Sequence, residues 1–246
     1  MNRRATIPSL FVAGTDTEVG KTLVAASLAR LLRERGRDVG VMKPFASGCR
    51  SEAGDLVADD GVCLARAAES ADPHELVCPV RLRHPLAPTV AARLEGRSLS
   101  LGPVWSALEA LCGRHECLIV EGIGGLLVPV TPASLLVDVA VGVGAPVLIV
   151  ARAGLGTINH SLLTVECARS RGLEVAGIVL NAVGPAPGGL AEETNAAEIA
   201  AASGVPVIGP LPWFEAASVE RGELSDMPSV LGSMPGTDRV LRRLET

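Results

Sequence analysis

Apolar residues gather in six short runs along the chain, at 10–13, 39–42, 118–120, 147–151, 175–180 and 205–208. Each is too short for a buried helix and rich in Val, Ile and Leu, which predicts strands buried on both faces. Between the runs the spacing becomes helical. Val24, Leu28, Leu31 and Leu32 fall at i, i+4, i+7 and i+8, one face of a 3.6-residue period, and Gly36 supplies the stop. Further helices are predicted at about 158–171, ended by Gly172, and about 192–203, ended by Gly204. Strand–helix alternation of this kind predicts an α/β fold: one domain over 1–246, a doubly wound, mostly parallel sheet with helices on both faces. Ligands then bind at the carboxyl ends of the strands.

The segment 49–103 breaks the pattern, being rich in Pro and charge, and reads as a helical excursion over the active edge. Residues 184–189 read as a flexible surface loop. Residues 211–214 open an irregular C-terminal stretch, closed by a short charged helix near 238–245.

Composition narrows the function. Hydrophobic residues are 48% and aromatic residues only 2%, with no Tyr, so the core is aliphatic and base stacking on aromatics is unsupported. A net charge of −5 without a basic stripe argues against nucleic-acid or anionic-membrane partners. The apolar segment after the first residues is short and interrupted by Pro8, so neither a signal peptide nor a membrane span is predicted; a cytoplasmic location is the default expectation. The six cysteines show no C-x-x-C pair and read as small buried hydrophobes.

Residues 14–22 read Gly-Thr-Asp-Thr-Glu-Val-Gly-Lys-Thr, between the first apolar run and the first helix. A glycine-containing turn from strand to helix leaves several backbone N–H groups facing one concavity, which holds an anion. Lys21 adds a charge that reaches terminal phosphates, and the Thr22 hydroxyl sits where it can ligate Mg2+. Gly14 lies one position earlier than in the common G-x-x-x-x-G-K-[ST] loop, and Thr15 takes its place. A surface turn that happens to contain Gly-Lys-Thr is the plainer explanation; the flanking strand and helix argue against it.

Two other strand ends carry charge. Lys43 follows the second apolar run, where a lysine is costly without an anionic partner, and bound phosphate or carboxylate would supply one. Glu121 ends the third run, as does the acid of phosphate-loop enzymes that orients Mg2+ or its water, and Gly122, Gly124 and Gly125 after it permit close approach of backbone to phosphate. Asp59 and Asp60 open a helical pattern and complement its dipole at the least. Thr22, Glu121 and one Asp would make a set of oxygen ligands for Mg2+.

Gly14 to Thr22, Lys43-Pro-Phe-Ala-Ser-Gly48, Glu121-Gly-Ile-Gly-Gly-Leu126 and Ile158-Asn-His160 together resemble the dethiobiotin synthetases, in that family's order and over nearly the whole chain. The resemblance implies a P-loop NTPase-like enzyme that joins ATP, CO2 and 7,8-diaminononanoate in biotin synthesis. It implies that Lys21 and Lys43 stabilise charge on the carbamate and γ-phosphate, and that Thr22, Asp60 and Glu121 hold Mg2+. Val19, Gly20, Lys21, Thr22, Leu23, Gly122, Ile123 and Gly124 would line the nucleotide, with Glu18 near the nucleotide or the substrate amine and Asn181 on the adenine beside Pro212, Trp213 and Phe214. Thr17 and Ser47 would touch the carbamate or diamine. Asn159 would meet the substrate carboxylate across a homodimer interface. The chain departs from the family at Phe45, Ile123 and Thr89, where smaller residues or a His are expected, and in having no Tyr. A regulatory ATPase of the deviant phosphate-loop type is the alternative; its early loop lysine is missing from Gly14-Thr15-Asp16, and residues 237–246 are short for a membrane-binding helix. A cobyrinate-type amidotransferase would need a glutaminase domain that 246 residues cannot hold.

Overall fold

The computed structural model describes residues 4–185 and 189–245. The loop read at 184–189 therefore lies partly outside the described residues. Along the chain run β1 (Ser9–Gly14), α1 (Lys21–Glu34), β2 (Val39–Met42), β3 (Phe45–Ala46), β4 (Arg50–Glu52), β5 (Asp55–Val57), α2 (Asp59–Ala67), α3 (His74–Val77), β6 (Val80–Arg81), α4 (Pro88–Leu94) and α5 (Gly102–Cys112). After them come β7 (Cys117–Gly125), β8 (Pro129–Thr131), β9 (Ser134–Leu135), α6 (Leu136–Val143), β10 (Val147–Arg152), α7 (Thr157–Ser170), β11 (Val175–Asn181), α8 (Leu190–Ser203), β12 (Val207–Leu211), α9 (Met227–Ser233) and α10 (Thr237–Arg242).

Six parallel strands form the central sheet in the order β12-β11-β10-β1-β7-β2. The chain leaves β1 for the β2 edge, returns to insert β7, then crosses to β10 on the other side. Strand order thus reverses around β1, and a doubly wound sheet opens a crevice at that point, outside its carboxyl ends.

Alternating side chains feed two cores, one on each face. Phe11, Ala13, Val120, Ile149 and Ile178 pack with residues of α5 to α8. Leu10, Val12, Ile119, Val150 and Val179 pack with α1, α2, α9 and α10. Each fully buried aliphatic side chain contributes about 1.5–3 kcal/mol. A sheet loaded on both faces in this way is rigid, and it holds the residues at its carboxyl edge to fixed positions.

The structure departs from the sequence reading in three places. The last strand begins at Val207 rather than 205: Pro206 has no N–H to give the ladder, although its carbonyl accepts from Ile178 N at 2.9 Å. The segment 49–103 contains strands as well as helices. β4 and β5 form an antiparallel hairpin around Ala53 and Gly54, both at positive φ, and β6 pairs with β3. The hairpin residues are exposed or half-buried, so they lack the apolar alternation that announces a strand. Finally, α9 lies within the stretch read as irregular. No helix among the described residues is long and apolar enough to cross a membrane.

Candidate active site

The loop between β1 and α1 ends at Gly20, whose φ of 91° is left-handed. A Cβ there would stand 2.2 Å from the Asn181 amide nitrogen, so close approach as well as conformation demands glycine. α1 has neither a side-chain cap nor an acid in its first turn, which leaves its N–H groups and positive dipole end to an anion. Lys21, only 6% exposed, donates from Nζ to the Asp16 carbonyl at 2.7 Å. Burial, with the Lys43 charge second, lowers its pKa to about 8.

Pairing of β2 with β7 sets Met42 level with Val120, so Lys43 and Glu121 emerge side by side. Lys43 Nζ lies 2.5 Å from Glu121 Oε1 and 2.7 Å from an Asp60 carboxylate oxygen on the first turn of α2. Thr22 Oγ1 donates to the same Glu121 oxygen at 2.8 Å. Burial disfavours the charge on Lys43, but Glu121 and Asp60 outweigh it and hold the lysine above its ordinary pKa. Burial likewise works against Asp60, yet Lys43 keeps it below the usual carboxylate range. Glu121 is sealed from water, and burial presses it toward the neutral form; the ion pair with Lys43 is what holds a charge there. Its second oxygen, Oε2, is enclosed with no partner, a lone-pair site unsatisfied by the protein. Asp59 turns away to Arg50 at 2.8 Å.

Asn181 closes the site from the end of β11, donating from Nδ2 to the Val19 carbonyl at 3.1 Å. A cavity of about 110 Å³ opens beside it, lined by Glu18, Gly20, Leu23, Asn181, Trp213 and Phe214, together with Ala182, Val183 and Met227. Pro212 is exposed and does not line it. Thr17 is exposed on the loop and Ser47 half-buried after β3. Asn159 is exposed on the first turn of α7, and its side chain makes no hydrogen bond among the described residues. Gly122 faces away from the loop: a Cβ there would lie 2.7 Å from Leu136 and 3.2 Å from Phe11, so packing requires this glycine, not close approach to phosphate. Ile123 packs on the same core. Gly124, at φ 58°, comes close to Thr17 and Val128. A larger groove of about 380 Å³, lined by Arg30, Glu34, Arg66, Leu224, Asp226 and Pro228 among others, takes in none of these residues.

Comparison with known proteins decides which phosphate-loop enzyme this is. A family model described as an AAA domain matches residues 8–221. An ATP-dependent dethiobiotin synthetase of Anaeromyxobacter dehalogenans (strain 2CP-1 / ATCC BAA-258) is 50% identical over 204 residues, 83% of this chain and 89% of that protein. One from Bacillus velezensis is 42% identical over 213 residues, 87% and 90% of the two chains. The chain belongs to the ATP-dependent dethiobiotin synthetase family. Solved structures give the fold alone. The MinC:MinD cell division protein complex of Aquifex aeolicus aligns with a TM-score of 0.57 at 12% identity, over 96% of this chain and 95% of that one. A ParA family ATPase from Chlorobium tepidum TLS aligns at 0.52 and 16%, over 96% and 97%. Both share the parallel-sheet fold of this chain.

Sequence motifs missed Asp16, Arg152, Ala182, Val183 and Met227 at this edge. They also missed a signal that needs only counting. Lys21 and Lys43 are the only lysines in the 246 residues, against 20 arginines.

Proposed function

We propose that the protein makes dethiobiotin from ATP, CO2 and 7,8-diaminononanoate. The observation that carries this reading is the placing of the two lysines at the mouth of a phosphate loop, Lys43 between Glu121 and Asp60 and Lys21 on the Asp16 carbonyl, in a chain 50% identical to a named dethiobiotin synthetase.

In the reaction one substrate amine attacks CO2 and loses a proton, giving a carbamate. A carbamate oxygen attacks the γ-phosphorus and ADP leaves. The second amine attacks the carbonyl carbon of the mixed anhydride, loses its proton, and expels phosphate as the ring closes. Each intermediate is an anion, so no protein nucleophile is needed, and the chain's contribution is positioning and charge. Lys21 reaches the phosphates from the helix end, and Lys43 faces the carbamate and γ-phosphate. Thr17 and Ser47 hydrogen-bond the carbamate or diamine. Asn181 holds the adenine beside Trp213 and Phe214. Asn159 meets the substrate carboxylate across a homodimer interface.

Thr22, Asp60 and Glu121 would hold Mg2+. The fit rests on hard oxygen donors and on the enclosed, unpartnered Glu121 Oε2. Asp60 and Glu121 supply two carboxylates, and an ion held by them would take its remaining ligands from phosphate and water. When bound, Mg2+ neutralises charge on the β- and γ-phosphate oxygens.

Phosphate release from ATP with bicarbonate, measured with and without 7,8-diaminononanoate, tests the reading. Release that depends on the diamine is expected. Hydrolysis indifferent to the diamine would sink it.

A further inference from the structure

An acidic residue inside an anion-binding loop is a contradiction the chain must resolve, and Asp16 is such a residue. Its carboxylate sits between Thr15 and Thr17, in a loop whose glycine turn, lysine and uncapped helix end favour negative ligands. One carboxylate oxygen accepts from the Thr17 backbone N–H at 2.8 Å, and the Asp16 carbonyl accepts from Lys21 Nζ at 2.7 Å. The other carboxylate oxygen meets Arg152 Nη2 at 2.9 Å. Arg152 ends β10, in register with Asn181 on β11, and so stands at the carboxyl edge between the loop and the base cavity. Its Nε is enclosed with no acceptor, a donor the protein itself leaves unused.

We propose that Arg152 is a positioning residue of the nucleotide site: it neutralises Asp16 and holds the leading half of the phosphate loop, so that an anion does not meet a bare Asp16 carboxylate. With this pair in place Arg152 offsets Asp16 as Lys43 offsets Asp60 and Glu121, while Glu18 lies exposed toward the base cavity. Removing the guanidinium leaves one negative charge beside the phosphates. Asp16→Asn takes that penalty away, because its amide keeps an oxygen for the Thr17 N–H while carrying no charge. The inference rests only on the nucleotide half of the reading above and is independent of the second substrate.

Calorimetric titration of the full chain with ADP and Mg2+ tests it, in low salt and in roughly 0.5 M salt, where charges a few ångströms apart are already screened. Arg152→Ala is expected to weaken ADP binding roughly tenfold in low salt, the scale of one uncompensated charge a few ångströms from the ligand, with a smaller loss in high salt. Arg152→Lys should stay within about threefold of the parent, since it keeps the charge. The double variant Asp16→Asn/Arg152→Ala should bind more tightly than Arg152→Ala alone. Parent-like binding by Arg152→Ala would overturn the proposal. So would a double variant as weak as Arg152→Ala, because that result assigns the arginine a tethering role with no electrostatic part. Melting temperatures of all three variants separate either outcome from misfolding. Failure of diamine-dependent turnover in the parent, with these binding results intact, would fault the synthetase reading and leave this one standing.

Discussion

Replacing Lys43 by Met removes a cation that two carboxylates share. The contacts of 2.5 and 2.7 Å are each worth about 6 kcal/mol at an effective dielectric of 20, before desolvation is counted. Most of that offsets the cost of burying the charges, and Asp60, whose side chain is 36% exposed, is screened more than the sealed Glu121. What remains is the penalty for stranding Glu121, about 3–5 kcal/mol, or roughly 10 °C of melting temperature for a chain of this size. The deficit has a sign in pH. In the parent, Lys43 depresses the Asp60 pKa, so this stabilisation is present above the unfolded carboxylate pKa and fades as pH falls through the folded one. In Lys43→Met that contribution is absent, and Glu121 escapes its penalty only by taking a proton. The gap between parent and variant is therefore widest near about pH 7.5 and narrows toward about pH 5. Circular-dichroism melts at the two pH values read it, and Lys43→Met/Glu121→Gln should recover part of the loss. A variant melting within about 2 °C of the parent at the higher pH, or a gap equal at both pH values, would refute the electrostatic account.

Other expectations follow from single contacts. Lys21, with a pKa of about 8, would bind phosphate in its charged form; ADP affinity should fall as pH rises through about 8, and Lys21→Arg should flatten that decline in a titration from about pH 6.5 to 9.5. Asn181→Asp would set a carboxylate against the Val19 carbonyl and should weaken ADP binding at least tenfold by fluorescence or calorimetry, a loss of roughly 1.4 kcal/mol or more. Gly122→Ala drives a methyl against Leu136 and Phe11 and should cost about 1–3 kcal/mol in urea denaturation. His115 bridges Asp38 at 3.0 Å and Asp72 at 2.7 Å at the amino end of the sheet; His115→Ala should lose about 1–3 kcal/mol of stability while kcat stays unchanged.

Most of the sheet was legible because its strands are buried on both faces and show as unbroken apolar runs. Five of the six predicted strands fall within observed ones, and the phosphate loop announced itself by its glycine, lysine and threonine between strand and helix. The β4–β5 hairpin was not legible, because exposed strands held by a two-residue turn carry no hydrophobic period. At the site, Lys43 and Glu121 could be picked out as charges ending apolar runs. Their contact could not be, since it depends on β7 inserting next to β2, a pairing of residues 78 positions apart. Gly122 looked like a phosphate glycine and is a packing glycine: alternation along β7 turns it to the opposite face from Glu121. Arg152 escaped notice because a cation at a strand end gives no sign of the loop acid that it meets.

The scarcity of lysine has a practical consequence. With every surface cation an arginine, the chain's ε-amines are confined to the site, and one of them, Lys43, is held protonated by two carboxylates. Only Lys21 offers a neutral ε-amine near pH 8. An amine-directed acylating reagent therefore acts on this protein as an active-site label, its incorporation beyond the chain terminus reporting how much of the phosphate loop is unprotected by nucleotide.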